Sequence, residues 1–554
     1  MKRYTLTIAA GVILAGAVAS IAADRKADIS RNLDIFNSIY RELQTTYVDT
    51  IDADKSINTA INSMLNQIDP YTEYISEDAQ KDFRTISSGE YAGIGSLIVQ
   101  RDNNVYISEP QPGSPALKAG LRPGDLIMVV NGDTTLGMSN EEVSKRLKGQ
   151  PGTDVKVTVK RPYSADSILT FDITRANIPV NTLPYYGVVA DEIGYIYLTT
   201  FNEKSAPAVR NALLELKKDP RVKSVVLDLR DNGGGLLESA VQIAGIFLPK
   251  GTEVVRYRGR DAMQEKVFKT TQQPVDTKIP LAVLINGNTA SSSEIVAGAL
   301  QDLDRAVIVG HRSFGKGLVQ GTRPLPYNGL LKVTIAKYYI PSGRLIQAID
   351  YSHRNADGTV SRIPDSLTNV YSTRAGREVR DGGGITPDIK VSYPDGNRLL
   401  YSLANGFWTF DYANRFAART PSIAPAEEFT VSDSIFQDFK EFIDPEKLDY
   451  DKYCESGLKM LREATENEGY MNDSVSAKFD ELQRLLKRDF DRDFDTNKAD
   501  ICEILGMEIS ERYYPGRGQI LQRLRNDIDV DSAARVLKDT ARYRELLSAP
   551  QKKK

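Results

Sequence analysis

The stretch LAVLINGNTASSSEIVAGAL, residues 281–300, predicts a strand that enters a helix through a short turn. Leu281 to Ile285 are all apolar, the Asn and Gly residues after them favour a turn, and apolar residues from Ile295 onward recur at helical spacing. Ser291 therefore lies at the junction, where free N–H groups and the positive dipole end of the helix favour an anion. This position suits a nucleophile. The oxyanion that forms on the attacked carbonyl group would then contact the amide of Ser292.

A second stretch, GHRSFGKGLVQ at residues 310–320, carries Lys316 between two glycines. The chain has only two histidines, His311 in this glycine-rich segment and His353 in a polar loop, so a catalytic histidine has few candidates. A lysine can act as the base if an apolar pocket lowers its pKa and keeps it neutral. The pairing predicts a serine hydrolase with a lysine base, and His311 remains the alternative base.

These segments resemble the C-terminal processing peptidases, or tail-specific proteases, over roughly residues 30–395. In that family the serine follows a small-residue turn, here TASSSEI, and the base is the lysine of an FGKG turn. The resemblance implies Ser291 as nucleophile, Lys316 as general base and Gln320 as the residue that orients the lysine. Ser292 departs from the alanine that is more frequent in the family, although its expected oxyanion contact uses the backbone.

The stretch VVLDLRDNGGGLLESA, residues 225–240, predicts a strand, a glycine turn and a helix. Taken alone, such a turn is explained by chain geometry. The resemblance implies that an amide of this turn completes the oxyanion hole, with Gly235 as the donor and Gly234 as the alternative.

A nucleotide-binding function is disfavoured although GHRSFGKG nearly matches a phosphate-binding P-loop. Gly317 stands where the P-loop needs a Ser or Thr hydroxyl for Mg²⁺. The residues after it alternate as a strand and do not open a helix.

Residues 88–176 resemble a PDZ domain because GIGSLIV, PGSPALKAGLRPGDLIMVVNG, SNEEVSKRLKG and two final strand patterns occur in the expected order. PDZ domains bind an extended peptide as an added strand and hold its terminal carboxylate with backbone amides. The resemblance implies a carboxylate-binding loop and a side-chain pocket, although a core role for the two pocket residues is equally open. The loop residues are Gly93, Ile94 and Gly95, and the pocket residues are Val143 and Leu147.

The N-terminal segment, residues 1–23, predicts a secretory signal because a basic start precedes an uncharged apolar stretch and small residues. The uncharged run from Tyr4 to Ala23 is also long enough to anchor the protein if it stays uncleaved. We therefore expect an exported protein in the periplasm or cell envelope.

Composition excludes several other classes of function. A net charge of −3 without a long basic run argues against a nucleic-acid partner. Neither Cys454 nor Cys502 has a histidine nearby or the spacing of a metal site, so we expect no metal and no cofactor. Export allows a disulfide between these cysteines, and two separate buried thiols remain the alternative.

The expected architecture is multi-domain α/β. A helical region (24–87) precedes the PDZ domain (88–176), an α/β serine peptidase core (177–395), crotonase/ClpP-like by resemblance, and a mostly helical C-terminal domain (396–554). The charges of this last domain are most simply solvated helix faces, while oligomerisation, substrate docking and gating remain open.

The predicted function is an exported serine endopeptidase that recognises proteins through their free C-termini and uses no cofactor. The rival class is a secreted PDZ scaffold without proteolysis, which leaves Ser291, Lys316 and Gln320 unexplained. Control by an adaptor protein also remains open.

Overall fold

The structure is a computed structural model that describes residues 27–77, 79–80, 89–261, 265–355, 358–393, 396–450, 453–486 and 489–549. The predicted signal peptide and the segment 81–88 lie outside the described residues. The chain forms two compact units. The first combines residues 27–77 with 320–334, and the second contains the other described residues.

The first unit contains helix α1 (Ala53–Asn66) and the short strand β1 (Glu73–Ile75). Residues 27–46 are also helical, in agreement with their apolar periodicity. The predicted break before β1 is a turn in which the buried carboxylate of Asp69 accepts two backbone N–H groups, at 2.8 and 2.7 Å. β1 then pairs antiparallel with residues 330–332.

The predicted PDZ region is a small sheet with two helices. Its strands are β2 (Glu90–Gly93), β3 (Ser96–Arg101), β4 (Asn104–Pro110), β5 (Leu126–Val130), β6 (Asp133–Thr134), β7 (Asp154–Lys160), β8 (Ile168–Thr174) and β9 (Ala176–Pro179). Its helices are α2 (Pro115–Ala119) and α3 (Asn140–Leu147). The sheet has the antiparallel order β3-β4-β5-β7-β8, with β6 beside β5, while β2 pairs with β9. The alternation of VKVTVKR explains β7, because Val155, Val157 and Val159 all face the domain core.

The region that follows provides the central sheet. Its strands are β10 (Tyr185–Val189), β11 (Ile193–Tyr197), β12 (Ser224–Asp228), β13 (Glu253–Gly259), β14 (Lys266–Lys269), β15 (Leu281–Ile285), β16 (Val307–Gly310), β17 (Leu318–Pro324), β18 (Leu330–Tyr339), β19 (Ile349–Arg354), β20 (Val360–Arg362), β21 (Val370–Ser372), β22 (Glu378–Arg380) and β23 (Ile389–Lys390). Its helices are α4 (Ser205–Leu216), α5 (Leu237–Phe247) and α6 (Ser292–Asp302). The central sheet has the order β10-β11-β12-β15-β16-β23 and is parallel except for β10.

Three adjacent parallel strands of this sheet lead into the three predicted site segments. β12 enters the glycine turn, β15 enters the turn that carries Ser291, and β16 enters the turn that carries Lys316. Parallel neighbours end at the same edge of a sheet, so the fold delivers these turns to one place.

The C-terminal region is helical, as expected. Its helices are α7 (Arg398–Asn405), α8 (Trp408–Arg419), α9 (Asp433–Phe442), α10 (Tyr453–Asn467), α11 (Asp473–Leu485), α12 (Phe490–Thr496), α13 (Lys498–Tyr513), α14 (Gly518–Arg523), α15 (Ile528–Lys538) and α16 (Thr540–Leu546).

Helices α15 and α16 form a third layer against the central sheet. α4, α5 and α6 cover one face of the central sheet, and apolar residues of α15 and α16 cover the other, including Leu537 and Tyr543. The Tyr543 hydroxyl also accepts the N–H of Leu281, at 2.9 Å. Both faces of β12 and β15 are therefore buried, which explains their continuous apolar runs.

The expectation that charges of the C-terminal region lie on solvated faces is wrong for the start of α15. The carboxylates of Asp527 and Asp529 are buried because both contact the guanidinium of Arg230. Their partner follows β12 of the central sheet, which the local pattern does not reveal.

Cys454 and Cys502 are separate free thiols in the structure, but the expected burial is wrong, because Cys454 is exposed and Cys502 is only partly buried. Within the described ranges, no helix combines the length and the apolar character needed to cross a membrane. The same ranges contain no cluster of potential metal ligands.

Candidate active site

Ser291 occupies a strained turn between β15 and α6. Its φ of 56° and ψ of −116° lie outside the regions that an L-residue prefers. The turn is held by Thr289, whose hydroxyl donates to the carbonyl of Leu229 at 2.9 Å and accepts the N–H of Asn286 at 2.9 Å. A strained serine on a strand–turn–helix junction is the arrangement by which other hydrolases expose a nucleophile.

Lys316 lies on a second turn, between β16 and β17. This turn is anchored at both neighbours of the lysine: the carbonyl of Gly315 accepts the N–H of Ala348 at 2.9 Å, and the N–H of Gly317 donates to Oε1 of Gln347 at 2.7 Å. Gly315 has φ 88°, and a Cβ there would lie 2.3 Å from that of Ala348. The sharp glycine turn predicted around Lys316 therefore exists for a steric reason.

The carboxylate of Glu294 joins the serine turn to the lysine turn. It accepts the N–H of Ser291 at 2.8 Å, and on the other side the Ser313 hydroxyl at 2.5 Å and the N–H groups of Gly315 and Lys316 at 2.7 and 2.9 Å. The side chain is fully buried, and this burial raises its pKa to about 7 against the opposing effect of the four donors. One carboxylate thus fixes the backbone of both predicted catalytic residues.

Tyr338, buried on β18, supplies a second connection. Its hydroxyl lies within hydrogen-bond distance of the carbonyl oxygen of Ser291, at 3.2 Å, and of the carbonyl oxygen of Lys316. Its own N–H donates to the carbonyl of Gly317 at 3.0 Å. The two turns are therefore held together from both sides.

The glycine turn after β12 packs directly against Ser291. A Cβ on Gly234 would lie 2.8 Å from the Cβ of Ser291 and 2.9 Å from the amide nitrogen of Ser292. A Cβ on Gly235 would lie 2.0 Å from the carbonyl oxygen of Phe201. Both positions thus exclude a side chain, with φ of 99° and 142°.

The structure brings both predicted oxyanion residues into contact. The Ser292 hydroxyl donates to the carbonyl of Gly235 at 2.8 Å. Between the two turns lies buried Asn232, whose Oδ1 accepts the N–H of Gly234 at 2.9 Å and whose carbonyl accepts the N–H of Ala290 at 3.0 Å. The amide of Gly234 is therefore already engaged.

Gln320 belongs to the other compact unit, where its Nε2 donates to the Thr334 hydroxyl at 3.2 Å. Its contact with Lys316 stays a prediction. The His311 ring stacks on Tyr393, with 4.6 Å between ring centroids, and His353 is 86% exposed beside Asp350. Neither of these contacts involves Ser291, and His311 stays the alternative base.

The predicted peptide-binding residues lie together in the PDZ domain. Gly93 ends β2, and Gly95 follows with φ 76°. The side chains of Ile94, Val143 and Leu147 are all buried in the domain core. The pocket role of the two α3 residues therefore remains a prediction beside a core role that the structure makes plain.

Sequence reasoning missed Glu294, Tyr338 and Asn232 as parts of the site. Glu294 had a visible signal, because a Ser followed three residues later by Glu at the start of a helix is a capping-box pattern. Asn232 stood inside the quoted glycine segment without a distinguishing feature. Tyr338 had no signal, since its partners are distant in sequence.

Comparison with family models matches three parts of the chain. Residues 84–160 match "PDZ domain", residues 192–353 match "Peptidase family S41", and residues 399–537 match "Probable PDZ-protease, C-terminal helical domain". Together with the relatives below, these matches define a serine-type peptidase that carries a PDZ domain.

The "Carboxy-terminal-processing protease" of Bartonella bacilliformis is 38% identical over 356 residues, which cover 63% of this chain and 81% of that protein. The "Probable CtpA-like serine protease" of Staphylococcus aureus (strain COL) is 34% identical over 427 residues, which cover 74% and 83%. The chain belongs to the family of carboxy-terminal-processing proteases.

Among solved structures, the photosystem II D1 C-terminal processing protease matches with 28% identity and a TM-score of 0.35, over 64% of this chain and 87% of that one. The PDZ domain of a carboxy-terminal protease from Vibrio cholerae, solved with a peptide, matches with 29% identity and a TM-score of 0.15, over 16% and 97%.

The shared carboxylate generates a prediction about pH. Because the pKa of Glu294 is raised to about 7, the native protein holds a proton that unfolding releases, and this stability is lost as the pH rises from about 4.5 to about 7. Glu294→Gln stays neutral, so its free energy of unfolding should fall less across that range in denaturant titrations. It should also lower kcat by about tenfold or more, because an amide cannot accept from all four donors and both turns shift.

The control is Glu545→Gln, which alters an exposed carboxylate. Equal pH dependence and equal kcat in Glu294→Gln and this control would contradict the role given to Glu294.

Proposed function

We propose that the chain is an exported serine endopeptidase in which Ser291 is the nucleophile and Lys316 the general base. The observation that carries this proposal is the shared anchoring of the two residues, whose N–H groups donate to one buried carboxylate. Such anchoring leaves little freedom for the serine turn to move relative to the lysine turn. Precise mutual placement is what proton transfer between two side chains requires.

In the proposed reaction, neutral Lys316 takes the proton of the Ser291 hydroxyl while its oxygen attacks the scissile carbonyl. The tetrahedral intermediate collapses to an acyl-enzyme, and the lysine returns the proton to the leaving amine. Lys316 then deprotonates a water molecule that attacks the ester, and as the second tetrahedral intermediate collapses it returns this proton to the Ser291 oxygen, which releases the acid product and restores the free serine and the neutral lysine. No metal or cofactor takes part in these steps.

We assign the oxyanion hole to the amides of Ser292 and Gly235. Ser292 is the first residue of α6, where N–H groups have no partner inside the helix. Between the two glycines, the amide of Gly234 is already bound to Asn232, which favours Gly235 as the second donor. The close approach of Gly234 to Ser291 brings the glycine turn as a whole next to the proposed nucleophile.

Two finer features belong to the same proposal. Export rests on the signal-like composition of residues 1–23. A crotonase/ClpP-like core is supported by the mostly parallel sheet, in which the serine turn and the glycine turn leave neighbouring strands.

We further propose that the PDZ domain selects substrates by their C-termini. β3 is the first strand of its sheet and pairs with β4 on one side, so its other edge suits an added peptide strand within the described part of the domain. The turn at Gly95 opens this strand and is the candidate carboxylate loop. The match of residues 84–160 to the PDZ family supports peptide binding by this domain.

The Ser/Lys assignment predicts the effect of removing the lysine. Lys316→Ala should lower kcat by about 10²–10⁴-fold, the usual contribution of a general base, while substrate binding persists. His311→Ala and the exposed-lysine control Lys390→Ala should keep most of the activity. Steady-state cleavage of a fluorogenic peptide measures all three, and full activity in Lys316→Ala would exclude lysine as the base.

The orienting role of Gln320 predicts a selective loss of turnover. If its amide oxygen accepts a hydrogen bond from the lysine amine, Gln320→Ala should reduce kcat more than it changes KM. Gln320→Glu keeps an acceptor and should favour a charged lysine, which moves the activity profile to higher pH. An unchanged kcat in Gln320→Ala would show that Gln320 does not orient Lys316.

Recognition of C-termini predicts a dependence on the terminal carboxylate. The same unstructured protein with an amidated terminus should be cleaved about tenfold to a hundredfold more slowly, since loss of a charged hydrogen-bonding group costs about 1.5–3 kcal/mol. Mass spectrometry gives the initial cleavage rates of the two forms. Deletion of residues 88–176 distinguishes two roles of the PDZ domain: activity falls if the domain delivers substrate, and it rises if the domain inhibits access to the site. Equal cleavage of both forms would show that the PDZ domain does not read the terminus.

A further inference from the structure

A buried ion cluster lies where β12 ends. The guanidinium of Arg230 contacts both carboxylate oxygens of Asp228, with Nε at 3.0 Å from each and Nη2 at 2.6 Å from Oδ2. It also contacts Asp527 through Nη1 at 2.9 Å and Nη2 at 2.7 Å, and Asp529 through Nη1 at 2.9 Å. The Arg230 side chain is 10% exposed, and its three carboxylate partners are more deeply buried.

The cluster links the C-terminal region to the glycine turn. Asp527 caps α15, where its Oδ1 accepts the N–H groups of Asp529 and Val530 at 3.1 Å each. Arg230 is separated by four residues from Gly235. The start of α15 thus holds the chain just before the proposed oxyanion donor.

The opposite side of this segment is held by the serine turn. Asp231, which has φ 59°, accepts from the side-chain amides of Asn286 and Asn288 at 2.9 Å each. Asn232 accepts the N–H of Ala290. The segment from Arg230 to Asn232 is therefore fixed between α15 and the turn that carries the predicted nucleophile.

The buried carboxylates of the cluster depend on their hydrogen-bond donors and on the neighbouring positive charges. Burial acts to raise the pKa of Asp527, but the hydrogen bonds and charge of Arg230, the N–H of Val530 and the charge of Arg523 together outweigh it, and the pKa is lowered. The hydroxyls of Tyr195 and Tyr393 also donate to the cluster, at Asp228 and Asp529 respectively. Removal of Arg230 would leave three buried carboxylates without the guanidinium that contacts all of them.

We propose that Asp527 and Asp529 of the C-terminal helical domain are positioning residues for the oxyanion hole, acting through Arg230 on the glycine turn. This inference rests on the proposed function, because it assumes that Gly235 donates to the oxyanion. It makes α15 a component of the active site and not an accessory element. The planar fork of arginine suits this task, since it fixes direction as well as distance.

The test uses the full-length chain with Asp527→Asn, which keeps the helix cap and removes the charge. We expect kcat on a fluorogenic peptide to fall by about tenfold or more with KM within about twofold, because the loss concerns the transition state. Binding of a peptide aldehyde of the same sequence, whose adduct places an oxyanion beside Ser291, should weaken in parallel. Arg230→Lys keeps the charge without the fork and should act in the same direction, which covers a failure of Asp527→Asn to fold.

The matched control is Asp304→Asn. Asp304 and Asp388 hold Arg377, which is 11% exposed, in a comparably buried cluster of the same core. This variant should lower the thermal midpoint to a similar degree while kcat and aldehyde affinity stay within about twofold of wild type. The inference is overturned if folded Asp527→Asn and Arg230→Lys keep wild-type kcat, or if the control loses as much activity.

Failure of the proposed function gives a different result. In that case Ser291→Ala would keep its activity, and the wild type would not distinguish the aldehyde from the corresponding alcohol. If Ser291→Ala is inactive and Asp527→Asn is fully active, the positioning role alone is wrong.

Discussion

The rest of the site depends on the burial of one carboxylate, that of Glu294. A carboxylate without water is costly unless its oxygens are satisfied, and here three backbone N–H groups and a hydroxyl satisfy them. Because Glu294 belongs to the first turn of α6, its position is set by the helix and the central sheet. Backbone N–H groups of the serine turn and of the lysine turn donate to this one carboxylate. The distance between the two turns is therefore set by a single buried side chain whose position is fixed at both ends.

The local parts of this arrangement could be predicted from the sequence. Leu281–Ile285 forms the strand that its apolar run indicates, and the helix begins beside Ser291 because small residues and a capping pattern favour that start. The connections between these parts could not. Glu294 meets Lys316 across 22 residues and Tyr338 meets Ser291 across 47, and no periodicity within either segment specifies such contacts.

The C-terminal helices show the same limit more strongly. Alternating charges along a predicted helix ordinarily indicate a solvated face, yet Asp527 and Asp529 are buried because a guanidinium lies 297 and 299 residues earlier in the chain. Local pattern identifies which residues form α15. Only tertiary contact decides that its apolar face covers the central sheet and that its first turn closes an ion cluster.

The backbone torsion of Ser291 lowers the folding stability of the protein at the position where its activity needs a serine. A residue held at φ 56° costs about 1–3 kcal/mol, and a glycine would avoid most of that cost. Selection for folding stability alone would therefore favour Ser291→Gly, which removes the predicted nucleophile. A serine can be kept at this position only if the hydrogen bonds around the turn offset the free-energy cost of its backbone torsion. Each of these hydrogen bonds therefore helps to maintain the reactive hydroxyl.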